Sequence, residues 1–170
     1  MKVSEISALE GTAYLAKFGP VAEHSPWVAE RARSIAGPFD TRSAMIDAFQ
    51  RALTTATEKE QLAVIRAHPD LAGKAALAGE LEAHSMSEQA GVGLDQLTQA
   101  ELDLFTNLNG GYLDKFGFPF IFAVKGANKH QILDAFETRL SSTQTEEFLT
   151  AIAQVCRIIR FRLEEMVDEL

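Results

Sequence analysis

At 170 residues with a formal net charge of -8, the chain is long enough to bury a core without covalent staples and too acidic to be drawn to a phosphate backbone. Its single cysteine, Cys156, excludes an internal disulfide framework and a cysteine-rich zinc site. No apolar run approaches the roughly 20 residues of a membrane-spanning helix, and Met1-Lys2-Val3-Ser4-Glu5 carries no apolar leader core, so the expectation is a soluble cytoplasmic protein with neither nucleic acid nor membrane as partner.

Ser7 and Glu10 have capping-box spacing ahead of Tyr14, Leu15 and Phe18, and Gly19-Pro20 closes this first helix. Ser25 before Pro26 reads as an N-cap followed by the first helical position, opening a second helix with Trp27 as a core anchor at its entry. Gly37-Pro38 ends it. From Thr41, residues Met45, Ile46, Phe49 and Leu53 recur at helical steps and form one buried face. Thr57 to Glu60 opens the next helix, with Leu62, Val64 and Ile65 buried. Pro69 disfavours helical geometry at the residue before it, which places His68 at that helix's C-terminus.

Between Gly73 and Gly93 small residues alternate with brief helical turns, and the pattern is least regular. Thr98 and Glu101 then start a long helix with Leu102, Phe105, Leu108 and Tyr112 on one side. Gly110 and Gly111 inside it cost about 1 kcal/mol each relative to Ala, which predicts close packing against that turn. Phe118 to Val124 is apolar and aromatic. Pro119 argues against a central strand there and no second strand pattern exists to pair with it, so an extended buried segment is expected. Asn128 caps a helix through Leu140, and Gln144 to Leu170 gives a closing helix carrying Phe148, Ile152, Val155, Ile159 and Leu163. The fold class is all-α: one domain over 1–170, with about seven or eight helices and a short extended aromatic segment.

Three stretches, 66–74, 85–91 and 115–126, concentrate chemistry at breaks in this pattern and are expected to line one pocket for an anionic small molecule. His68 is either a helix-capping imidazole or a proton donor whose charged form the helix C-terminus favours. Asp70 is a turn residue or a member of the site. Ser85 and Glu88 form either an ordinary capping box or part of an anion site at a helix start. His84 and Glu88 have the spacing of a metal pair, but a helix break near Ser85 would spoil their shared face, so no metal site is expected. His24 and His130 read as solvated. Lys115 and Lys125 flank the aromatic segment, while Arg157, Arg160 and Arg162 lie on the last helix. Arg162 falls on the apolar side and therefore needs an anionic partner, either a ligand carboxylate or an internal Glu or Asp.

In combination these stretches are distinctive. Phe18-Gly19-Pro20-Val21-Ala22-Glu23-His24-Ser25-Pro26-Trp27, then Ala67-His68-Pro69-Asp70-Leu71-Ala72-Gly73-Lys74, then Ser85 with Glu88-Gln89, then Asn109, Tyr112 and Lys115-Phe116-Gly117-Phe118-Pro119-Phe120-Ile121 resemble the 2-oxo-4-hydroxy-4-carboxy-5-ureidoimidazoline (OHCU) decarboxylase family from about Phe18 to Leu163. The resemblance implies an all-helical, cofactor-free enzyme of urate degradation that releases S-allantoin, commonly as a homodimer. It implies catalytic roles for His68 as proton donor and Glu88. It also implies substrate contacts at Pro69, at Ser85, Met86, Ser87, Glu88 and Gln89, at Phe120, Ile121, Phe122, Ala123 and Val124, and at Arg162, with Arg160 as the alternative arginine. The end Asp168-Glu169-Leu170 lacks a peroxisomal Ser-Lys-Leu signal.

Two other classes stay open on the residues alone. A non-catalytic helical module would dock a partner through Trp27 and the aromatic segment, and would expose Phe118 to Phe122. A metal-dependent hydrolase would gather His68, His84 and Glu88.

Overall fold

Nine α-helices occur among the described residues of the computed structural model, which are 1–73, 76 and 78–169; Lys74 and Leu170 lie outside them. In chain order they are α1 (Val3–Ser7), α2 (Gly11–Phe18), α3 (Trp27–Ala36), α4 (Arg42–Thr54), α5 (Glu58–Ala67), α6 (Ala83–Gly91), α7 (Gln99–Phe116), α8 (Lys129–Leu140) and α9 (Gln144–Met166), with a 3₁₀ turn at Gly19–Val21. No strand occurs among these residues, and none of the helices is long and apolar enough to cross a membrane.

Several starts follow from side chains that take up free backbone N–H groups. Thr41 Oγ1 accepts from Ala44 N at 3.0 Å and opens α4. Reciprocal capping boxes open α7, between Thr98 and Glu101, and α8, between Asn128 and Gln131. Gly117 closes α7 in the left-handed region at φ 73, where a side chain would be strained. On α4 the expected face is buried, and truncating Phe49, which is fully buried, to Ala would cost about 3–5 kcal/mol.

Other local readings give way to packing. Ser7 does not cap α2: it ends α1, its Oγ exchanges hydrogen bonds with the backbone of Phe39, and Glu10 stands at the N-cap instead. Burial of Val3 and Ile6 draws the extra first helix into the core. Ser25 Oγ donates to the carbonyl of Glu23 rather than capping α3, whose N-cap is Pro26. Trp27 is half-buried with the Arg31 guanidinium 4.4 Å from its ring centroid, so it is no core anchor. The last helix ends at Met166, short of Leu170. Leu62 is half-buried. Gly110 and Gly111 are exposed, and a Cβ added at either would meet no atom within 4 Å, so the close packing inferred from them is absent around both.

The chain divides into two compact units: Met1–Ala67 with Val155–Leu170, and His68–Gln154. In the first, α3 packs on α4, and Arg162 and Glu23 are buried together. In the second, Phe105, Tyr112, Phe120 and Phe136 form an aromatic core around α7 and α8.

Candidate active site

His68 follows α5 directly and is buried, as the proline after it requires of the helix end. The turn after it is tight. Ala72 sits at φ 51, a conformation few non-glycine residues adopt, and a Cβ on Gly73 would lie 2.7 Å from Asp70 Cβ. Side-chain amides hold this backbone in place. Gln89 Oε1 accepts from Ala72 N at 2.9 Å, Gln89 Nε2 donates to Asp70 O at 3.3 Å, and Asn109 Nδ2 donates to Leu71 O at 2.8 Å. Burial pushes the Asp70 carboxyl above the usual carboxylate range.

Gln89 and Glu88 are neighbours on α6, so the bonds from Gln89 tie the helix carrying Glu88 to the turn carrying His68. Ser85 and Gln89, four residues apart, are the buried positions of this helix; Glu88 is half-buried beside them, and Met86 and Ser87 face outward. The helix begins at Ala83 with Glu82 at its N-cap. Ser85 is therefore inside α6, and the capping box with Glu88 is overturned. The same continuity removes the helix break invoked against a His84–Glu88 pair. Among the described residues, no three His, Cys, Asp or Glu side chains are placed to hold a metal.

Segment 118–124 is buried except for half-buried Phe122. Phe120 stacks on Phe136 with centroids 3.7 Å apart and meets Tyr112 edge-on at 5.4 Å. A docking module needed these rings exposed. Tyr112 lies three residues after Asn109, so one face of α7 supports both the His68 turn and the aromatic segment. Burial, and the hydrogen bond it donates to Glu147 at 2.8 Å, hold the Tyr112 phenol in its protonated form well above the usual range.

Among the cations, Lys115 Nζ donates to Ser142 O at 3.0 Å and to Leu140 O, at the end of α8. Lys125, Arg157 and Arg160 are exposed, as are His24 and His130. Arg162 belongs to the first unit. Its Nη1 donates to Glu23 Oε2 at 3.0 Å and to Val21 O at 3.2 Å, so one of its anionic partners is internal.

Sequence reasoning overlooked Arg139 and Glu147. Glu147 is fully buried, and Arg139 Nε contacts its two oxygens at 2.7 and 3.1 Å. The signal was available: Glu147 precedes Ala151, Val155, Ile159 and Leu163 at four-residue intervals, so it stands on the buried row of α9.

The family model described as OHCU decarboxylase matches residues 7–164. The 2-oxo-4-hydroxy-4-carboxy-5-ureidoimidazoline decarboxylase of Haloferax volcanii is 38% identical over 165 residues, covering 97% of this chain and 95% of that protein. The uric acid degradation bifunctional protein PucL of Bacillus subtilis is 38% identical over 151 residues, covering 89% of this chain and 30% of that longer protein. Among solved structures, an (S)-allantoin synthase superposes with a TM-score of 0.78 at 31% identity, covering 99% of this chain and 55% of that one. A match of this extent to both sequence and fold carries one conclusion: the chain belongs to the OHCU decarboxylase family, a family of carboxy-lyases.

Proposed function

We propose that this chain decarboxylates 2-oxo-4-hydroxy-4-carboxy-5-ureidoimidazoline to S-allantoin in urate degradation, as one catalytic domain over 1–170. The observation that carries the site assignment is the pair of hydrogen bonds from Gln89 to the backbone of residues 70 and 72, because they couple the helix of Glu88 to the turn of His68. In the reaction the carbon–carboxylate bond breaks, CO2 leaves, and the electron pair spreads into the adjoining imine-type ring. One proton then ends on carbon. His68 is its donor, and delivery from one fixed face accounts for a single enantiomer. Glu88 accepts hydrogen bonds from the ureido or hydroxyl groups and orients the imidazole. Electron demand is met by hydrogen bonds to ring heteroatoms, so the step as proposed calls on no cofactor.

Substrate contacts are placed at Pro69, at 85–89 and at 120–124, all within the second unit. The substrate arginine is assigned to Arg162 on the family motif. The working form proposed is a cytoplasmic homodimer, which light scattering at assay concentration reports directly.

The test is turnover of freshly generated ureide, followed by the circular dichroism of the allantoin formed. His68→Ala is expected to abolish acceleration while the helical signal stays intact, and Glu88→Ala to lose most of it. A folded His68→Ala variant at wild-type rate removes His68 from the chemistry. Arg162→Lys and Arg160→Lys, compared for KM, decide which arginine meets substrate.

A further inference from the structure

Segment 120–124 poses a physical problem that its sequence does not solve. Backbone N–H and C=O groups buried away from water must find partners, and a segment with no strand beside it has no ladder to supply them. Here two helices supply side chains instead. Arg139 Nη1, from α8, donates to Ile121 O at 2.6 Å, and Gln154 Oε1, from α9, accepts from Ala123 N at 2.9 Å.

The arginine is itself fixed on three sides. Its Nε contacts both Glu147 oxygens, its guanidinium lies 4.3 Å from the centroid of Phe120, and its Nη1 is committed to Ile121. Glu147 in turn accepts from Tyr112, on the α7 face that also carries Asn109. One chain of contacts thus runs from the carbonyl of Ile121 to the helix that holds the His68 turn. A lysine could neutralise Glu147. Its single nitrogen would have to replace two, Nε and Nη1, which here reach the carboxylate and the carbonyl separately. Arg139 Nη2 is buried with no hydrogen-bond partner among the described residues.

We propose that Arg139 and Gln154 are positioning residues, which act through the backbone of Ile121 and Ala123 to hold segment 120–124 in the geometry that receives substrate. Their effect is on the fit of that segment to the reacting molecule, not on the chemistry directly. The proposal rests on the assignment of 120–124 to substrate contact made above.

The experiment compares Arg139→Lys and Gln154→Ala with wild type at a temperature where all three are folded. It reads hydrogen exchange of 118–124 by mass spectrometry, and kcat and KM on the ureide. Arg139→Lys should speed exchange in 118–124 and lower kcat/KM at least tenfold. Gln154→Ala should do the same by about threefold, with exchange of 68–73 unchanged in both. Faster exchange with wild-type kcat/KM overturns the proposal, since the tether would then be structural only. Unchanged exchange overturns it as well. Should Arg139→Lys fail to fold, Gln154→Ala alone decides. If wild type itself does not turn over the ureide, the functional reading falls, while the exchange data still report whether the tether exists.

Discussion

Removing the carboxylate of Glu23 takes an anionic partner from a guanidinium buried in the core. Both side chains of the Glu23–Arg162 pair are 1% exposed, and the Nη1–Oε2 distance is 3.0 Å. Breaking a buried pair from one side costs about 3–5 kcal/mol, because the remaining charge loses that carboxylate where water cannot replace it. Hydrogen bonding from Nη1 to Val21 O at 3.2 Å softens the loss without neutralising the charge. In a domain of this size each kcal/mol moves the thermal midpoint by about 2–4 °C, so Glu23→Ala should lower it by roughly 10 °C. Replacing both partners, Glu23→Leu with Arg162→Met, should recover most of that, since the double variant buries no charge. Scanning calorimetry on the two single variants and the double variant measures the coupling directly. A fall below about 3 °C for Glu23→Ala would match an exposed pair and refute the reasoning. The same variants separate structure from the substrate role proposed for Arg162: at a temperature where all are folded, a loss of turnover in Arg162→Met that Glu23→Leu does not share belongs to the arginine itself.

Gly110→Ala and Gly111→Ala place a methyl group in open space inside α7, and each should raise stability by about 1 kcal/mol, seen as a higher thermal midpoint. A lower midpoint would show that another molecule covers that face in solution. Gly73→Ala should cost about 1–3 kcal/mol and reduce kcat/KM, because the added Cβ would lie 2.7 Å from Asp70 Cβ and push the His68 turn out of place; wild-type values in both assays would contradict this. Burial pushes the Cys156 thiol up to about 11, so its neutral form dominates below that pH. Alkylation of Cys156 at pH 8 should therefore be about a hundredfold slower than for a free cysteine, and should rise about tenfold per pH unit towards pH 11. Fast labelling at pH 8 would show that the thiol is accessible to water.

Where the residues that start a helix lie within four positions of one another, the reading and the structure coincide. Thr98 and Asn128 open their helices as read, the periodic face of α4 is buried, and that of α9 is buried from Ile152 onward, with Phe148 half-buried. Ser7 shows why the same logic fails elsewhere: its hydroxyl is taken by Phe39, 32 residues away, and no local pattern carries that information. Ser85 and Glu88 have the spacing of a cap, yet the identical spacing occurs inside any helix, and here α6 starts before them. Glycines behaved similarly. Their cost inside α7 is local and certain, but the reason inferred for it required a neighbour that the space around them does not contain.

The candidate site divides along the same line. His68, Glu88 and the aromatic segment could be proposed as a site from residue type and order alone, since those are what resemble the family's motifs. Arg139 and Glu147 were not proposed, although a glutamate on the buried row of α9 invited the question already asked of Arg162. Periodicity, punctuation and motif order, all properties of the chain as written, determined an all-α enzyme of the OHCU decarboxylase family. Tertiary structure alone decided which amide grips the His68 turn, which guanidinium holds Ile121, and that Arg162 meets Glu23 across 139 residues of chain. A buried charge or peptide group needs a partner, but which one it takes is settled by packing, and packing is not written in spacing.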